Sequence, residues 1–186
     1  MKIKIRNVRI AFCDSLFVAK DYQDNKKFRH SATFLAEVGS ESAKQIETAI
    51  KAVAEEKWKA KAAIMLEAFK FNANKNCYLP GALKADKYDG FEGCMSLSAH
   101  RKVEDGVPDI RDIKGQKCGA GVIYAGCYVN AIVDIYAQGA PNEGIRCGLA
   151  GVQFLRDGDA FSGSRASDSD FEDLSVGAGE VDDLMG

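Results

Sequence analysis

Tyr124, Tyr128 and Tyr136 fall at even intervals in the stretch YAGCYVNAIVDIY. Residues an even number apart share one face of a β-strand, so the three rings line up. Cations and further rings surround them in sequence: Lys84, Lys87, Tyr88 and Phe91 before, then Arg101 and Lys102, then Arg111, Lys114 and Lys117. Arg146, Phe154 and Arg156 follow. Single-stranded nucleic acid is bound with these two ingredients. Cations track the phosphates, and flat rings stack on bases for about 1–3 kcal/mol each. By type and placement, Tyr88, Phe91, Tyr128 and Tyr136 are the candidate stacking rings. Lys84, Lys87, Arg101, Lys102, Arg111, Lys114 and Arg156 are the candidate phosphate contacts.

Bond-making chemistry has no comparable signature. The chain contains no G-x-S-x-G, no phosphate-cradling G-x4-G-K and no G-x-G-x-x-G behind a strand. No spacing sets a nucleophile beside a base. Six cysteines (13, 77, 94, 118, 127 and 147) form no C-x2-C pair, and the two histidines, His30 and His100, supply no zinc spacing. Asp168, Asp170 and Glu172 lie among Gly and Ser, where a block of like charge reads as a solvated tail. The cysteines are therefore expected as free thiols, and no metal, cofactor or catalytic residue is expected.

The charge is unevenly spread. The whole chain carries −2, with 25 Lys+Arg against 27 Asp+Glu. Residues 157–186 hold nine acids and one base, so the segment is −8 and the body 1–156 is +6. From about Ser162 the Gly, Ser and Asp composition offers too little apolar area to offset chain entropy. Two regions follow: a folded body over 1–161 and a disordered acidic tail over 162–186. No apolar run approaches the length of a membrane span. The alternating start MKIKIRNVRI argues against a secretory leader, so the chain is expected in the cytoplasm.

The elements that must position the candidates are mostly strands. In KIKIRNVRIAF, Ile3 and Ile5 share a face, then Val8, Ile10 and Phe12 share one, with a bulge at Arg6-Asn7. FRHSATFLAEV alternates from Phe28 to Val38 and sets His30 on its apolar face, as a hydrogen-bonded core histidine. Ser40 or Ser42 opens a helix, Ser42 with Gln45 fitting a capping box. The stretch from about Glu41 to Phe69 is one long helix, or two with a break near Lys57-Trp58, and Ile46, Ile50, Val53, Ile64 and Ala68 recur in it at roughly helical spacing. CMSLSAHRKV alternates. VIYAGCYVNAIVDIYA is the clearest strand, with Cys127, Val129, Ala131, Val133 and Ile135 on one face. GIRCGLAGVQFLRDG closes the body. Short strands around one inserted helix predict a mainly β fold. An OB-fold-like five-stranded barrel, with a helix between the third and fourth strands, fits the pattern.

The segments KYDGFEG (87–93), SLSAHRK (96–102), YAGCYVNA (124–131), IYA (135–137) and GIRCGLAGVQFLRDGDAF (144–161) carry a resemblance. They are similar to phage-encoded single-stranded-DNA-binding proteins of a family once catalogued as a domain of unknown function. The resemblance implies an OB-fold, sequence-nonspecific binding of single-stranded DNA, and a role in phage replication or recombination. It also implies an acidic C-terminal tail that competes with DNA and docks on replication or recombination proteins. Asp170, Glu172, Asp173, Glu180, Asp182, Asp183, Leu184 and Met185 would make those contacts. Leu184 and Met185 stand where related tails often carry a terminal aromatic ring. A homo-oligomer is compatible with the sequence. The alternative is a β-barrel interaction module or chaperone whose acidic tail binds basic proteins, and such a module would not bind oligonucleotides saturably. A magnesium nuclease would share the basic body, but the chain sets no carboxylate cluster on a regular element.

Overall fold

A computed structural model gives the fold, and it describes residues 1–21 and 26–162. The acidic segment 163–186, with every tail residue named above, lies outside the described residues. In chain order the elements are β1 (Lys2–Ala11), β2 (Lys20–Asp21), β3 (Phe28–Glu37), α1 (Glu41–Trp58), α2 (Ala62–Phe69), β4 (Tyr78–Pro80), β5 (Cys94–Lys102), β6 (Asp109–Arg111), β7 (Tyr128–Gln138) and β8 (Gly144–Arg156). Five strands close a ring: β1 pairs β3, β3 pairs β5, β5 meets β8, β8 pairs β7, and β7 returns to β1. All of these contacts are antiparallel except the parallel bridge of β5 to β8. The mainly β, OB-like barrel is thus present. Short β2, β4 and β6 extend it beside β3, β5 and β8.

The alternation predicted for β7 holds from Tyr128, where the strand begins; Tyr124 lies before it, ahead of Gly126 at φ 104°, and does not continue its row. Val129, Ala131, Val133 and Ile135 are buried, while Asn130, Asp134 and Tyr136 face outward. Opposite them Phe34, Leu97, Ile145 and Leu149 fill the same interior. Each buried aliphatic or aromatic side chain contributes about 1.5–3 kcal/mol. β1 slips register between Ile5 and Val8, with Asn7 at φ 52°, so the bulge expected at Arg6-Asn7 is present. His30 is buried and its Nδ1 lies 3.1 Å from the Leu16 carbonyl oxygen, the core histidine that the pattern predicts.

Four expectations change. The helix falls between the second and third ring strands, not the third and fourth. It starts from Ser40, just after β3, whereas the chain beyond β5 carries Gly106, Pro108, Gly115, Gly119 and Gly121, which do not sustain a helix. Ser40, not Ser42, is the N-cap: its hydroxyl accepts from the Ala43 N–H. Ser42 is instead buried on the β1 bulge, where its hydroxyl accepts from the Arg6 N–H (2.9 Å) and donates to the Arg6 carbonyl (2.7 Å). Ile64, 72% exposed, and Ala68 both face outward, because the break at Lys59 (φ 52°) rotates α2 out of phase with α1. Phe12 leaves the inner face, because its own φ of 49° turns the side chain outward just past the end of β1.

The Ser42 clamp fixes the helix start to the bulge, so its loss exceeds that of the cap. Ser42→Ala should cost about 1–3 kcal/mol, because it removes the partner of two part-buried backbone groups of Arg6. Ser40→Ala should cost about 1 kcal/mol. Urea unfolding of the two variants measures the order.

Candidate nucleic-acid interface

With the ring interior filled by apolar side chains, contacts to a ligand fall to its outer face. Along the β3–β5 seam that face pairs Arg29 with Lys102, Ser31 with His100 and Thr33 with Ser98. The floor is small and hydroxylated. Ser15 and Ser31 share a 2.7 Å hydroxyl–hydroxyl bond, and the Thr33 and Ser98 hydroxyls are 3.4 Å apart. At one end of the seam, His100 bridges to Gly148 of β8. That bridge brings in Arg146, which is paired across β7–β8 with Tyr136. Burial, with Arg29, Arg146 and Lys102 nearby, lowers the His100 pKa to about 4. His100 is therefore a neutral ring inside a cationic group. Arg146 donates to Gln138 Oε1 (3.2 Å), the Asn74 carbonyl (2.7 Å) and the Asn142 carbonyl (3.4 Å). These acceptors are neutral, so the guanidinium is oriented while its charge stays uncompensated by them. Tyr136 stands 41% exposed near the β7–β8 turn.

A second row crosses the outer face towards its other end. Arg156 pairs with Tyr128, Tyr128 with Arg9, and Arg9 with Leu35. The Arg156 guanidinium sits 3.5 Å from the Tyr128 ring centre, and that of Arg9 sits 4.2 Å from the Phe161 ring centre. Phe91 covers Leu35 and Ala11. On it rest Phe12 and Tyr88, an edge-to-face pair with centroids 4.8 Å apart. The Lys84 ammonium lies 5.1 Å from the Phe12 ring centre, and burial lowers its pKa. Residues 157–162 run across this row. Arg9 donates to the Asp159 carbonyl, the Tyr124 hydroxyl donates to Asp157 (2.7 Å), and Ser162 donates to Asp89 (2.7 Å). Two glycines make the passage possible. A Cβ at Gly126 would sit 2.2 Å from the Asp159 carbonyl oxygen, and one at Gly90 would sit 2.2 Å from the Phe161 ring.

The residues singled out in the sequence separate into groups. Tyr136 and Lys102 join the His100 cluster, whereas Arg101 pairs with His30 on the other face of β5 and its guanidinium donates to the Asp105 and Gly106 carbonyls. Tyr128 and Arg156 form one cation–ring contact. Lys84 and Tyr88 meet at the Phe12 platform, with Lys87 exposed next to Tyr88. Phe91 is 1% exposed and supports that platform from beneath, offering no free ring face. Arg111 is ion-paired to Asp109 at 2.8 Å on the β6 flank, and Lys114 lies in the adjoining turn. Arg9, Phe12, Arg29, His100, Arg146 and Phe161 were not among the candidates. Arg9 and Arg29 look like ordinary water-facing positions of amphipathic strands, and only the pairing shows what stands beside them.

The profile of the family described as the single-stranded-DNA-binding protein of Enterobacter phage Enc34 matches residues 1–184. "Putative protein p50" of Acyrthosiphon pisum secondary endosymbiont phage 1 is 38% identical over 179 residues, which span 95% of each chain. Among solved structures, the single-stranded DNA-binding protein from bacteriophage Enc34 in complex with ssDNA superposes with a TM-score of 0.69. It is 21% identical, over 87% of this chain and 89% of that one. Gp2.5, a single-stranded DNA-binding protein encoded by bacteriophage T7, gives a TM-score of 0.55 at 11% identity, over 94% of this chain and 96% of that one. At these identities the structural likeness establishes a shared fold.

The His100 environment has a pH signature. Its folded pKa of about 4 lies below the ordinary value of 6.5, so folding favours the neutral ring. That contribution is present above pH 6.5 and is lost as the pH falls towards 4. Thermal melts between pH 7 and 4.5 should fall less steeply for His100→Gln than for the natural chain.

Proposed function

The chain belongs to the Enc34 phage single-stranded-DNA-binding protein family, a non-enzymatic class, and on that premise we propose that it binds single-stranded DNA across the outer β3–β5 face. One observation carries this placement. Cations from three strands, Arg29, Lys102 and Arg146, gather with the exposed Tyr136 where an OB ring binds oligonucleotides, on its second and third strands and flanking loops. Tyr136 stacks on a base, the cations take phosphates, and the hydroxyl floor of Ser31, Thr33 and Ser98 lets the strand lie close. Stacking and phosphate contacts carry little sequence information, so the binding is sequence-nonspecific. Its role is to protect and organise exposed strands during phage replication or recombination.

The acidic segment fits a competitor. Residues 1–161 act as the binding unit, and the chain leaves it at Ser162, bonded to Asp89 beside Tyr88. The acids beyond are thereby tethered to the cationic face, at an effective concentration of order millimolar. DNA displaces them, and the released tail, with Leu184 and Met185 among its acids, contacts replication or recombination proteins.

Titration of a fluorescent ~30-nucleotide dT strand tests both parts. Tyr136→Ala should weaken binding by about 1–3 kcal/mol at an unchanged melting temperature. Deleting 163–186 should tighten binding most at low salt, where charge competition is least screened. Equal affinity with and without the tail would remove the competition, and an unaffected Tyr136→Ala variant would remove the placement.

A further inference from the structure

The Phe12–Tyr88 pair has no role in the cleft around His100. Both rings are exposed, Tyr88 at 47%, although they sit on an apolar floor of Phe91 over Leu35 and Ala11. The two rings stand nearly perpendicular, at 87°, rest on Phe91 from below, and each leaves part of its surface exposed to a base. Its surroundings are cationic. The Lys84 ammonium is oriented over Phe12, and Lys87 lies one residue from Tyr88. Its position matters more. Leu35, beneath the platform, and Arg29, in the cleft, both belong to β3 and are six residues apart, hence on one face and about 20 Å apart. Between them lie Ser31 and Thr33, with Ser98 opposite. Among these, Ser98 is exposed, Ser31 is half-buried and Thr33 is buried between them.

We propose that Phe12 and Tyr88, with Lys84 and Lys87, form a second stacking platform for single-stranded DNA, joined to the first by the hydroxyl floor of the β3–β5 seam. A strand long enough to reach it stacks a further base on Tyr88 and sets a further phosphate near the two lysines. The inference rests on the proposed DNA cleft. It adds that the occluded length exceeds what the cleft alone covers, and that affinity rises a second time as the strand grows. It also explains why residue 162 lies beside Asp89: the acidic segment begins next to a DNA platform.

The test is affinity against strand length, for dT strands from 5 to 30 nucleotides at one salt concentration, with the full chain. The natural protein should gain affinity in two steps. Tyr88→Ala should lose the second step, about tenfold on the longest strands, and match the natural protein on the shortest, as expected for one stacked base. Tyr88→Phe should keep both steps, which separates stacking from folding. Coincident curves for Tyr88→Ala and the natural chain, or an equal loss at every length, would overturn the second platform. Failure of the cleft itself reads differently: Tyr136→Ala would then leave the shortest strands unaffected, whatever Tyr88→Ala does.

Discussion

The ring closes between β5 and β8 at one parallel bridge among the described residues, His100 to Gly148. The other ring contacts are antiparallel ladders of several residue pairs, so this is the narrowest seam in the barrel. Closing there sets β5, with Lys102, beside β8, with Arg146, while β3 presents Arg29 across the ladder. Three like charges gathered this way repel one another. An anionic strand laid over them would relieve that repulsion; the His100 pKa is pushed down first by burial and then by the same three groups. The seam that completes the fold thus also builds the charge of the proposed site.

The inner and outer faces divide the work. Apolar residues fill the interior, with His30 hydrogen-bonded among them. Helix α1 joins that core through Ala43, Ile46 and Ile50, and Ser42 ties its first turn to the β1 bulge. The outer face keeps what a polyanion needs: cations from several strands, exposed rings and a floor of small hydroxyls. The segment leaving β8 crosses the same face, held by Arg9, Tyr124 and Asp89 and accommodated by Gly90 and Gly126. That route sets the start of the acidic segment against the surface that DNA would occupy.

Much of this was legible from alternation. The strand β7, the bulge in β1 and the buried His30 follow from period-two patterning, because those strands are half-buried and the pattern records which half. The outward rings Tyr128 and Tyr136 were legible for the same reason. Other features turn on single torsions or on pairing. Phe12 keeps its place in the pattern but not its direction, because one positive φ reverses it. Ser40 and Ser42 are equally good caps by type, and only the nearby bulge decides between them. Phe91 and Tyr88 are three residues apart, one buried and one exposed, because the outer face of β3 needs a cover at Leu35. The companionship of Arg29, Lys102 and Arg146 depends on the β5–β8 closure, which no local pattern encodes.

The central claim, that single-stranded DNA lies along the outer β3–β5 face, is tested most directly by backbone hydrogen exchange with and without a saturating dT strand. The account predicts slowed exchange in β3, in β5 and in the turn between β7 and β8, with α1 and α2 unchanged. Protection centred on the helices, with β3 and β5 exchanging as in the free protein, would contradict it.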